Sequence, residues 1–223
     1  MTPDAEGPQD ATPATRARQR AVLDALPFGD VQDFEDAGRG FVATLPEVSV
    51  RNAQGRVVWS LGEYAFLEAA EAPATVNPSL WRQARLNMRH GLFQVTDRIY
   101  QVRGFDLSNM TILEGDRGVV VIDPLVTMEV ARASLDLYFE HRGRRPVTAV
   151  IYTHSHTDHY GGVRGVVDDA QVRSGDVQII APDGFGGFTV RDLTSWWVGS
   201  EASRPFSVSI QDEDGGSVGR LHS

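Results

Sequence analysis

At 223 residues, the chain is long enough for one domain with a real core, burying roughly 70% of its unfolded surface. A formal charge of −9 and a pI near 5.1 argue against general nucleic-acid binding, and the absence of cysteine excludes disulfides, thiolate zinc ligands and a cysteine nucleophile. No apolar run reaches the roughly 18–20 residues that cross a bilayer, and the first twenty residues lack a signal-peptide core, so a soluble, cytoplasmic protein is expected.

Residues 1–15, with Pro3, Pro8 and Pro13 and no periodicity, are expected to be disordered. An N-terminal extension is expected over residues 16–90. Its first helix runs from Arg16 to Leu26 and stops at Pro27. Residues 28–55 read as irregular, Val57-Val58-Trp59 as a strand and Tyr64–Leu67 as a helical turn. A helix follows from Pro78 to Ala84, with Pro at its start and Leu80, Ala84 and Leu86 as core contacts. From Gly91 the pattern changes. Two hairpins are predicted, Leu92–Val95 with Ile99–Val102 and Met110–Glu114 with Gly118–Asp123. A long helix spans Thr127 to His141, with Val130, Ala131, Leu135, Tyr138 and Phe139 at helical spacing. The basic run His141–Arg145 reads as that helix's C-terminus, where cations meet the negative end of the dipole. Val147–Tyr152 is a buried strand, Val163–Val167 a short helix and Val177–Ala181 a further strand. The fold class is α/β, its core over residues 91–185, and residues 186–223 show no sustained period of either kind.

Three of the six histidines, His154, His156 and His159, stand with Asp158 directly after the strand ending at Tyr152. The end of a strand is where α/β folds place their ligands. Alternating positions in an extended loop project His154 and His156 to one side, toward one cation. Asp158 and His159, beyond the bend, reach toward a second. Imidazole and carboxylate without thiolate suit Zn²⁺, with Fe or Mn also compatible. Two such ions can share and acidify a water molecule, and Asp158 is the candidate catalytic residue that orients it. Gly161-Gly162 lets the backbone pass close to the metal site. Asp123, ending the strand Val119–Ile122, reads first as a turn or helix-capping aspartate; the alternative is a carboxylate supporting the metal loop from beneath. His90, His141 and His222 read as ordinary surface or core histidines.

His154-x-His156-x-Asp158-His159, preceded by a strand ending in Tyr152-Thr153, resembles the signature of the metallo-β-lactamase superfamily. Pro73–Gln83, Leu92–Val95, Ile99–Met110 and His141–Gly143 resemble its alkyl sulfatase branch, and the likeness runs from about Phe34 to Phe185. The resemblance implies a partial αββα sandwich, the first half of that fold behind an N-terminal extension. It also implies zinc-dependent hydrolysis of linear primary alkyl sulfates, such as dodecyl sulfate, to alcohol and sulfate. In that family His154 and His156 would bind one zinc, and Asp158 and His159 the other. Full-length members form homodimers and take no nucleic acid as partner. The family's remaining ligands, two glutamates and a histidine, lie well past the first cluster. Gly186 to Ser223 departs from the family pattern, so an N-terminal fragment is expected, with Glu201, Asp214 and His222 the only nearby replacements. Uncovered strand faces, Val147–Ile151 among them, are then expected. Two other readings stand beside this one: a lactamase-fold hydrolase of thioesters, lactones or phosphodiesters, and a metal-binding remnant without activity.

Overall fold

The computed structural model describes residues 9–185, together with the backbone of two short strands, Ser209–Gln211 and Ser217–Arg220. The chain divides into two units, Met1–Arg39 with Glu63–Arg89, and Gly40–Gly62 with His90–Ser223. The stretch read as an extension, residues 16–90, therefore contributes to both.

The first unit is helical. Helix α1 (Pro13–Ala25) begins three residues before the expected Arg16, because the Thr12 side chain accepts from Thr15 N–H and Pro13 fits the first turn. Helix α2 (Gln32–Gly38) lies in the segment read as irregular. Helix α3 (Pro78–Asn87) is capped by Asn77, which accepts from Ser79 N–H. It buries Trp81, whose indole N–H donates to Ala69 O at 3.3 Å, and leaves Leu80 66% exposed. The expected core contact at Leu80 is thus replaced by its neighbour. Adjacent helical positions point about 100° apart, and the larger ring removes more apolar surface from water.

The second unit is built on one seven-stranded sheet. Its strands are β1 (Phe41–Ala43), β4 (Gly91–Thr96), β5 (Ile99–Arg103), β6 (Met110–Glu114), β7 (Val119–Ile122), β8 (Val147–Ile151) and β9 (Gln178–Ile180), in that spatial order. A separate hairpin, β2 (Ser49–Arg51) with β3 (Val57–Ser60), packs on helix α4 (Met128–Arg142). Pairing is antiparallel from β1 to β7 and parallel across β7, β8 and β9. Both predicted hairpins are present. The change to parallel pairing follows from α4, which carries the chain back to the start of β8. Thr127 caps α4, and its inward stripe buries Val130, Ala131, Leu135, Tyr138 and Phe139. Gly143 ends the helix, and Arg142, Arg144 and Arg145 bond Glu114, Asp136 and Gly115 O, as a basic helix end should.

Strand β8 is better covered than expected: Val147, Ala149 and Val150 are all buried. It is flanked by β7 and β9, so the exposed apolar residue at this side is Ile180 of β9 instead.

Candidate metal centre

Because β7 and β8 run parallel with Ile122 opposite Ile151, their C-terminal ends finish side by side. Asp123 leaves one end, and Tyr152-Thr153-His154 the other. Asp123 N–H still reaches Ile151 O at 2.9 Å, but its φ of 54° turns the chain into left-handed space, and Leu125 follows at φ 65°. Such conformations cost of order 1–3 kcal/mol each for residues other than glycine. At Asp123 the surroundings hold it there. Its carboxylate accepts from Thr153 N–H at 2.8 Å, Thr153 Oγ1 at 2.7 Å and His159 Nδ1 at 2.8 Å. The capping reading of Asp123 is overturned. The cap of α4 is Thr127, and Asp123 is the carboxylate beneath the histidine loop.

The structure brings His154, His156, Asp158 and His159 together. His154 Nε2 faces His156 Nδ1 at 3.1 Å, and the His154 and His159 rings lie 3.9 Å apart, centre to centre. His159 sits on the 3₁₀ turn Thr157–His159, with Nε2 3.3 Å from Asp158 Oδ2. Asp123 accepts a hydrogen bond from His159 Nδ1–H, which leaves the Nε2 lone pair on the side of Asp158 Oδ2. Two imidazole nitrogens facing each other need a proton or a cation between them. Nitrogen and carboxylate donors of this kind suit zinc. The fit is in the chemistry of the donors: among the described residues no three of them are gathered as a ligand set. A catalytic zinc takes three protein ligands, more than this loop gathers among the described residues. Glu201, Asp214 and His222 lie outside the described residues.

The run Arg103–Met110, singled out in the sequence only by resemblance, braces this loop. Ser108 Oγ donates to the backbone carbonyl of Asp158. The buried Asp106 accepts from Leu107 N–H at 2.6 Å and from Val126 N–H at 2.8 Å, tying the turn to the β7–α4 connection. Burial pushes the Asp106 carboxyl above its ordinary range, while those two backbone bonds oppose the shift and the charge of Asp158 adds to it. Neither Asp106 nor Ser108 carries a signal in sequence spacing, since both partners are distant along the chain.

The two glycines serve closeness of another kind than expected. A Cβ on Gly162 would meet Pro124 O, Thr127 O at 2.7 Å and Ala131 Cβ at 2.8 Å. Gly161 likewise abuts Val126 O. The tight approach is of the loop to the start of α4, and it seats the histidine turn on that helix. His90, by contrast, bonds Thr44 Oγ1 through Nδ1 at 2.8 Å, and burial lowers its pKa, as for a structural histidine.

The Metallo-beta-lactamase superfamily profile matches residues 103–219, just over half of the chain, including the whole histidine loop. The chain belongs to the metallo-β-lactamase superfamily. Within that superfamily its similarity is to alkylsulfatases. It is 54% identical over 182 residues to a linear primary-alkylsulfatase of a Pseudomonas species, covering 81% of this chain and 27% of that protein. It is 53% identical over 177 residues to an alkyl/aryl-sulfatase of Saccharomyces cerevisiae, with 79% and 27% covered. Among solved structures, the stereoselective inverting sec-alkylsulfatase Pisa1 from Pseudomonas sp. superposes with a TM-score of 0.79 at 51% identity, over 83% of this chain and 29% of that one. The chain thus spans just over a quarter of the length of the curated relatives it matches, and its fold is a part of the lactamase-type fold.

Proposed function

We propose that the loop His154–His159 is one part of a two-zinc centre and that the protein hydrolyses alkyl sulfate esters, linear primary ones first, to alcohol and sulfate. The observation that carries this is the loop itself: His154, His156, Asp158 and His159 lie next to one another in pairs, with His159 oriented from beneath by Asp123. Similarity to alkylsulfatases over four-fifths of the chain supports the choice of ester. His154 and His156 would hold one ion, and Asp158 and His159 the other. Zinc, when bound, supplies Lewis acidity toward sulfate oxygens and acidifies water at neutral pH. Asp123 keeps the proton on Nδ1 of His159 and so presents the Nε2 lone pair. Ser108 fixes the backbone of Asp158, whose carboxylate would orient the attacking water.

This part of the chain is equally similar, at 53–54% identity, to relatives named for primary, secondary and alkyl/aryl sulfates. The test therefore offers dodecyl sulfate beside a secondary ester such as octan-2-yl sulfate, and measures zinc per chain and released sulfate. Loss of zinc and of sulfate release together in His156→Ala supports the proposal. Undiminished release in His156→Ala overturns it, and faster release from the secondary ester overturns the choice of primary substrates.

A further inference from the structure

The helical first unit holds a cavity of about 630 Å³, remote in sequence from the histidine loop. That volume falls within the roughly 300–1,000 Å³ typical of small-molecule sites. Its lining is strongly one-signed: Arg16, Arg20, Arg82 and Arg85 stand against the single carboxylate of Glu71. Two of these arginines are engaged. Arg82 donates to Asp33 Oδ2 at 2.7 Å and Asp30 O at 2.9 Å, and Arg20 pairs with Asp24 at 3.2 Å. Arg16 and Arg85 each donate once to a backbone carbonyl, Ala11 O at 3.1 Å and Ala70 O at 3.4 Å. Among the described residues neither has a carboxylate within ion-pair distance, which leaves most of each guanidinium's five donors to be satisfied.

The ring of Phe34 holds the guanidinium groups of Arg82 and Arg85 at 5.1 and 5.6 Å, so Arg85 is oriented before any ligand arrives. Leu23, Phe28 and Trp81 supply apolar wall, and Trp81 is 6% exposed. Gln19 also lines the cavity, and its Oε1 is buried with no hydrogen-bond partner among the described residues. Cationic forks beside an apolar wall are complementary to one kind of molecule: an anionic head on a hydrocarbon body.

We propose that this cavity binds an amphiphilic organic anion, its carboxylate or sulfonate head taken by Arg16 and Arg85 and its hydrocarbon against Leu23, Phe28 and Trp81. The site involves residues of the first unit alone and needs no metal.

The test titrates the full chain with octane-1-sulfonate in the presence of EDTA, by calorimetry and by NMR of the Trp81 indole N–H. Saturable binding with a shift of that resonance is expected. Octan-1-ol, the same tail without charge, should bind at least tenfold more weakly, and so should octane-1-sulfonate to Arg85→Gln. Arg16→Gln, at an exposed position of α1, keeps the fold and should also weaken binding severalfold. Equal binding of octan-1-ol, wild-type affinity in both arginine variants, or shifts confined to the resonances of His154, His156 and His159 would overturn the proposal.

Discussion

The two ends of strand β7 handle buried polar groups in opposite ways. Before its start, Glu114 closes β6 opposite Val119 and is enclosed by its own partners: Tyr138 OH donates to it at 2.8 Å, and Arg142 donates at 3.0 and 3.3 Å. Arg142 also lies 4.8 Å over the Tyr100 ring. The Arg142 hydrogen bonds hold the Glu114 carboxyl below its ordinary range, while burial and the Glu114 bond push the Tyr138 hydroxyl up. Beyond the strand's other end, Asp123 is as well satisfied, by Thr153 and His159, but above it His159 Nε2 faces Asp158 Oδ2 at 3.3 Å, two acceptors when Nδ1 carries the ring proton. The first arrangement is closed and fastens α4 to the sheet. The second is closed only in its lower layer. A buried polar cluster is read as structural or functional by whether its donors and acceptors already match, not by how many charges it holds.

If that distinction is right, the largest effect on stability belongs to the closed end. Glu114→Ala removes the acceptor of both Tyr138 and Arg142 and should destabilise the chain by about 3 kcal/mol, read from the urea midpoint. An unchanged midpoint would mean that water satisfies these groups without cost. Asp123→Asn tests the open end. Asparagine tolerates the left-handed backbone and keeps one accepting oxygen, so the fold should survive, whereas zinc affinity should drop about 10–100-fold in chelator competition, because His159 loses the carboxylate charge that raises its basicity. A large stability loss with unchanged zinc affinity would make Asp123 another closed cluster.

Acid separates the ends further. The folded pKa of Glu114 is depressed, so its stabilisation is present above the unfolded carboxyl pKa of about 4.3 and is lost as pH falls through the folded value. Thermal melts from pH 7 downward should therefore show a steeper acid loss in the wild type than in Glu114→Gln. Parallel losses would place the acid-sensitive group elsewhere. The smallest effect is expected for Ser108→Ala. It removes one bond to the Asp158 carbonyl and should cost about 1 kcal/mol in the melt, with a small decrease in zinc affinity.

Much of the second unit was legible along the chain. The alternation in Leu92–Val102 and Met110–Ile122, the 3.6-residue stripe of α4 and the apolar strand β8 each bury their own face, so local pattern and tertiary outcome agree. Of the short elements in the first sixty residues the strand at Val57–Trp59 was legible, and α2, β1 and β2 were not. Strand β1 exists because β4 offers it an edge, and α1 starts at Pro13 because Thr12 caps it. Leu80 and Trp81 show the limit of composition: both are apolar neighbours, and only packing chose between them.

The sequence by itself determined the candidate donors, since His154, His156, Asp158 and His159 lie within one loop whose register the preceding strand imposes. It also determined the parallel crossover, through one long helix between two apolar strands. Only the tertiary structure decided what stands beneath the loop. Asp123 and Ser108 reach it from 30 to 50 positions away along the chain, through the side-by-side ends of β7 and β8 and the turn after β5, which Asp106 ties to the β7–α4 connection. Such contacts leave no periodic trace in a sequence, because they follow from which strand ends meet in space and not from the spacing of residues along any one element.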